Sequence, residues 1–156
     1  MSRAFVKESS QDAAAEPLPE RAISPHPNFV TPEGLQKIEA QIRALEAERQ
    51  AARDSEDAPT LARIARDLRY WTQRRATARV LEPPASPDAV RFGVRVTVRY
   101  DDGTERTFRL VGEDEADPAQ GLLSWVAPMA SALMGKSEGD VVRFQDRELE
   151  IVRIEA

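Results

Sequence analysis

The chain of 156 residues has no cysteine, a single histidine and few aromatics, with two Trp, two Tyr and five Phe. Without cysteine there is no disulfide, no zinc–thiolate centre and no cysteine nucleophile. His26 stands between Pro25 and Pro27 with no acid or second ligand beside it, so its expected role is a turn rather than catalysis. Long apolar runs are missing too. None approaches the roughly 18 to 20 residues that span a bilayer, and the N-terminal stretch lacks the apolar centre of a signal peptide. No membrane partner and a cytoplasmic location are therefore expected. A net charge of −5 argues against wholesale coating of nucleic acid.

What is present is a helical rhythm over residues 31 to 82. Leu35, Ile38, Ile42 and Leu45 recur at alternating spacings of three and four, and Leu61, Ile64, Leu68 and Trp71 repeat the pattern. Each is the apolar seam of a helix packed along a partner. Two such helices with a short polar connection bury their seams by folding into an antiparallel hairpin. Thr31 is the expected N-cap, with Pro32 at the first helical position and Val30 and Leu35 spaced as a hydrophobic staple. Pro59 suits the first turn of the second helix. The tip, Arg53-Asp54-Ser55-Glu56-Asp57-Ala58-Pro59, is then acidic and is the candidate site. The plainer reading of those acids is a solvated turn that caps the second helix and favours its dipole.

Charge is distributed unevenly. Three basic residues face four acidic ones over residues 1 to 30, ten face eight over 31 to 80, and nine face fifteen over 81 to 156. Arg63, Arg66, Arg69, Arg74, Arg75 and Arg79 stand on the second helical run against Asp67 alone. Such a face suits an anionic partner, or serves solubility.

Residues 1 to 30 are rich in Pro, Ala, Ser and Glu and read as a mostly disordered tail, with Met1 to Lys7 as a short anchor at most. Residues 83 to 87, with three prolines from Pro83 to Pro87, form a linker. From 88 to 156 the pattern changes. Val94, Val96, Val98 and Tyr100 alternate with polar residues as a half-buried strand, Asp101-Asp102-Gly103-Thr104 is hairpin-turn chemistry, and Phe108 and Leu110 alternate on the return. Further strands are expected over 122 to 126, 141 to 144 and 149 to 154, with a short helix over 128 to 135. The fold class is α+β, a helical hairpin followed by a small β domain with one short helix. Glu113, Asp114, Glu115 and Asp117 lie close together, but nothing spaces them as a calcium loop, and a structural or docking loop is expected.

Three stretches resemble a known family. They are Val30-Thr31-Pro32-Glu33-Gly34-Leu35, then Val111-Gly112-Glu113-Asp114-Glu115-Ala116-Asp117 with Gly121 and Ser124, and Pro128-Met129-Ala130-Ser131-Ala132-Leu133-Met134-Gly135-Lys136 followed by Gly139-Asp140. Over residues 29 to 156 the chain is similar to the Gre transcript cleavage factors of bacterial RNA polymerase, GreA and GreB. The resemblance implies a coiled-coil hairpin and an FKBP-like C-terminal domain that docks at the polymerase secondary channel. It also implies that tip acids assist the polymerase's own hydrolysis of backtracked RNA. The factor would then be no enzyme itself, would hold no cofactor of its own, and would share the polymerase's magnesium. Hard oxygen ligands suit that ion.

Carried over residue by residue, the tip allows two alignments. Either Asp54 and Asp57 keep the family's spacing, or Glu56 matches its glutamate; Asp54, Glu56 and Asp57 are the candidate catalytic and metal-assisting acids. Trp125, Val126, Pro128 and Met129 are the candidate docking residues, although the pair before Pro128 is Val126-Ala127 where the family often has polar residues. Arg63, Arg66, Arg69, Arg74 and Arg75 would lie near RNA or DNA phosphates. RNA polymerase and nascent RNA are the implied partners of a monomeric factor. Each hairpin arm is shorter than the family's by roughly a heptad, which removes about 10 Å of reach. A channel-binding regulator without cleavage activity is therefore the alternative. A binding module or prolyl isomerase is a third reading, since the implied fold is FKBP-like, but aromatics beyond Trp125 are too sparse for a pocket signature.

Overall fold

The structure is a computed structural model and describes residues 18 to 156; the Met1 to Lys7 anchor lies outside the described residues. Helix α1 spans Pro32–Asp54 and helix α2 spans Ala58–Thr77. Near the free end Leu45 and Ala52 pack with Leu61 and Ile64, whereas near the base Ile38 and Ile42 pack with Leu68 and Trp71. The helices are thus antiparallel, and the expected seams are the ones that close. At 1.5 Å per residue, the 23 and 20 residues of α1 and α2 make arms of about 34 and 30 Å. The α1 cap is as read: the Gly34 N–H donates to Thr31 Oγ1 at 2.9 Å, and Val30 and Leu35 join the same apolar cluster.

The base of the hairpin is tied by a feature too short to leave a period in sequence. Strands β1 (Phe29–Val30) and β2 (Arg79–Val80) pair in parallel, with Arg79 N–H donating to Asn28 O at 2.8 Å and Leu81 N–H to Val30 O at 3.0 Å. Beside them the buried Asn28 side chain donates to Arg74 O at 2.7 Å and Thr77 Oγ1 at 3.2 Å, satisfying the carbonyl end of α2.

The C-terminal domain is a five-stranded mixed sheet of order β5-β4-β3-β7-β6. Its strands are β3 (Arg95–Tyr100), β4 (Glu105–Val111), β5 (Leu122–Ser124), β6 (Val141–Phe144) and β7 (Arg147–Glu155). All neighbours are antiparallel except β4 and β5. Helix α3, Pro128–Leu133, covers the sheet through Ala130 and Leu133, which join Val94, Val96, Val98, Leu110, Leu149 and Ile151 in the core. The strand expected over 122 to 126 ends at Ser124, and the helix expected to Gly135 ends at Leu133. Thr97, which alternation points outward, is also buried, and its hydroxyl is satisfied by Thr107 Oγ1 at 2.9 Å across the strand pair.

Residues 18 to 30 do not behave as the tail that their composition suggests. Glu20 and Arg21 pair with Arg69 and Asp67 of α2, and Ser24 Oγ donates to Glu113 at 3.0 Å. Phe29 packs on Trp125 and Phe92, and the ring of His26, at a bend, meets the edge of Trp125. A few polar and aromatic anchors hold this segment where a periodic apolar pattern is absent.

Candidate functional site

The tip acids are exposed, but they are not equivalent. Asp57 is the N-cap of α2: its Oδ1 accepts the Thr60 N–H at 3.2 Å. The Thr60 hydroxyl and backbone N–H hold its carboxyl below the usual carboxylate range. Asp54 accepts one bond, from Gln50 Nε2 at 3.0 Å, and keeps its second oxygen open to solvent. Glu56 has a backbone φ of 54°, in the left-handed region that a side chain other than glycine enters at a cost. That conformation turns the chain between the helices. The arrangement offers two little-committed carboxylates at the far end of a rod and a third already used by the fold. Among the described residues no three His, Cys, Asp or Glu gather into a set that could hold a metal ion. Two hard oxygen donors suit a share in an ion held chiefly by other ligands, rather than a self-contained site.

The arginine face is largely answered from within. Arg63 pairs with Glu48 and with Asp67, Arg66 with Asp67 at 3.1 Å, and Arg69 with Glu20 at 2.5 Å. Arg75 is exposed. Arg74 is withdrawn from solvent: it is 2% exposed, and its Nε donates to Asp114 Oδ2 at 2.6 Å. Arg74 lies on the stripe of Arg63, Asp67 and Tyr70, at spacings of four, three and four, at the base of the hairpin where that stripe meets the C-terminal domain.

That contact is one of several at the joint between hairpin and domain. Tyr70 OH donates to Asp114 Oδ1 at 2.5 Å. Burial first, and then the Asp114 carboxylate, push the Tyr70 hydroxyl up to about 12. Thr31 Oγ1, while accepting from Gly34, donates to Glu115 Oε2 at 2.5 Å, and Glu115 is 6% exposed. Arg109 reaches Glu33 in the first turn of α1 at 3.3 Å. The 3-10 turn Glu113–Glu115 is thus a clamp, consistent with the structural loop expected of it. Two glycines permit the approach. A Cβ on Gly34 would stand 2.7 Å from Glu115 Oε2, and one on Gly112 would stand 2.4 Å from Phe29 O. Those glycines, one opening α1 and one preceding the acidic turn, were the signal available in the sequence.

Of the expected docking residues, Trp125 is half-buried against Phe29 and His26, and Val126 is half-buried beside it. Pro128 is exposed. Met129 lines a groove of about 300 Å³ with Tyr100, Phe108, Leu123, Phe144 and Leu149, and Arg106 and Arg147 flank it. The structure brings Pro128 and Met129 to an open face and turns Trp125 to an internal one.

Comparison with known proteins agrees with this anatomy. Residues 84–156 match the family described as "Transcription elongation factor, GreA/GreB, C-term". The chain is 39% identical over 98 residues to transcription elongation factor GreB of Neisseria meningitidis serogroup B, covering 59% of this chain and 60% of that protein. It is 46% identical over 86 residues to GreA of Alkalilimnicola ehrlichii, covering 51% and 54%. The match thus spans little more than half the length of these two relatives. With GreA of Ruegeria pomeroyi it is 34% identical over 149 residues, covering 81% of this chain and 96% of the relative. The solved GreA/GreB factor of Nitrosomonas europaea is 20% identical, with 83% and 99% of the chains covered and a TM-score of 0.42. A likeness over 81% of this chain cannot be confined to the C-terminal domain and takes in the hairpin as well, so the chain belongs to the GreA/GreB family of transcription elongation factors.

Proposed function

We propose that this protein binds RNA polymerase at the secondary channel and stimulates cleavage of backtracked nascent RNA by the polymerase itself. The observation that carries the reading is the tip. Asp54 and Glu56 are exposed at the end of an arm of about 34 Å. Each has at most one hydrogen bond among the described residues.

In this reading the rod carries the two carboxylates into a confined site, and Asp57 holds the turn that presents them. Magnesium of the polymerase, when shared with these oxygens, would supply charge stabilisation for phosphodiester hydrolysis. This chain's part is to place Asp54 and Glu56, with no nuclease activity or bound cofactor of its own. Grip falls to the open face carrying Pro128 and Met129, where the groove offers apolar contact flanked by Arg106 and Arg147. Arg75 is the candidate neighbour of RNA or DNA phosphates, since Arg63, Arg66 and Arg69 already have acidic partners. A cytoplasmic monomer fits this role, and among the described residues no helix is long and apolar enough to cross a membrane.

The test is addition of the protein to stalled, backtracked elongation complexes. Shortened transcripts with released 3′ fragments are the expected result, and alanine at Asp54, Glu56 and Asp57 together should abolish them. The short arms and the commitment of Asp57 to capping favour a second reading, a channel-binding regulator without cleavage. Binding to polymerase with no shortened transcript at saturation would select it.

A further inference from the structure

Three segments far apart in sequence converge at the base of the hairpin. Tyr70 and Arg74, one helical turn apart on α2, both donate to Asp114, at 2.5 and 2.6 Å. The next residue of the same turn, Glu115, accepts from Thr31 at the start of α1 at 2.5 Å. From the N-terminal segment the Arg21 guanidinium lies 3.9 Å from the Tyr70 ring centre. One anchor on one helix would leave the rod free to pivot. Anchors on both helices, made by consecutive residues of one short turn, fix its direction. The lever is long: a tilt of about 10° at the base moves a tip about 34 Å away by about 6 Å.

We propose that Asp114, acting with Arg74 and Tyr70, is a positioning residue that sets the direction of the hairpin relative to the C-terminal domain, and with it the point at which Asp54 and Glu56 arrive. What the tip does on arrival rests on the function proposed above; the direction is a property of the free protein. Asp114 is therefore a determinant of the stimulated reaction although it lies at the opposite end of the rod from the acids.

The absence of native cysteine allows spin labels at Ser55→Cys on the tip and Ser137→Cys on the C-terminal domain, both exposed positions. Pulsed electron spin resonance on the full chain should give a narrow distance distribution. Asp114→Asn, which leaves Arg74 buried beside a neutral amide, should shift or broaden it, and Tyr70→Phe should do so to a smaller extent. The paired change Arg74→Gln with Asp114→Asn replaces both charges together and should restore the narrow distribution. In the cleavage assay Asp114→Asn should lower the saturating rate by about tenfold to a hundredfold, as misplacement of reacting groups does. The half-saturating concentration should hold, because the face of Pro128 and Met129 is untouched.

Distance distributions identical to wild type in both single variants would overturn the proposal, as would a loss of stimulation that arises wholly from weaker binding. Should Asp114→Asn fail to fold, Tyr70→Phe alone decides, since it removes one hydroxyl and leaves every charge in place. A wild-type protein that stimulates no cleavage while its distances respond to these changes would remove the functional reading and leave the positioning role standing.

Discussion

The molecule carries two short acidic clusters, and they live in opposite conditions. At the tip, Asp54, Glu56 and Asp57 are exposed and share two hydrogen bonds from Gln50 and Thr60. At the joint, Glu113, Asp114 and Glu115 receive Ser24, Tyr70, Arg74 and Thr31. Composition does not separate them; the count of partners within the chain does. A carboxylate whose lone pairs are already taken by buried donors is part of the frame. One that reaches solvent at the end of a long arm has chemistry left to offer.

The sharpest way to break this comparison is to remove one acid from each cluster and measure unfolding. Asp114→Ala removes the nearer carboxylate from buried Arg74, leaving Glu113 at 3.8 Å, and also takes the acceptor from Tyr70. It should destabilise by about 3 kcal/mol in urea titration. Alanine at Asp54 should leave the midpoint where it is. Next in size is Gly112→Ala, whose new Cβ meets the Phe29 carbonyl oxygen, a backbone atom that cannot swing away. A loss of about 1 to 3 kcal/mol is expected from such overpacking.

Glu56→Gly should act in the opposite sense. Glycine adopts the positive φ of this position freely, so stability should rise by about 1 kcal/mol while one candidate acid is lost. A joint residue could not be removed with gain.

Two titrations give smaller signals. Burial and the Asp114 carboxylate raise the Tyr70 hydroxyl to about 12 in the folded state. Its stabilising contribution is therefore complete below the unfolded value of about 10 and is lost as pH rises toward about 12. Phenolate absorbance should show Tyr70 titrating late, and earlier once Asp114 is replaced by asparagine. At the tip, the cap bonds from Thr60 lower Asp57, so its contribution is present above the ordinary carboxylate range and lost as pH falls through the lowered value. Asp57→Asn, which still caps, should flatten that acid dependence without moving the midpoint at neutral pH.

Much of this was legible in sequence because it is periodic. The seams Leu35 to Leu45 and Leu61 to Trp71 specify the hairpin, and the Val94 to Tyr100 alternation specifies a strand, since each burial pattern repeats within a few residues. The joint was not legible, because Tyr70, Arg74 and Asp114 are brought together only by the fold. Arg74 shares a polar stripe with Arg63, Asp67 and Tyr70, and only the approach of Asp114 sets it apart from the exposed arginines. Strands β1 and β2, two residues each, are too short to alternate at all. At the tip the sequence supplied the acids but not their division of labour, which depends on Asp57 being the residue that caps α2.

That division is what a single comparison in the cleavage assay would test. With backtracked elongation complexes at saturating factor, Asp54→Ala combined with Glu56→Ala should reduce transcript shortening to the rate seen without factor, while Asp57→Asn retains stimulation. Full stimulation from the double variant, or its loss in Asp57→Asn alone, would contradict the account.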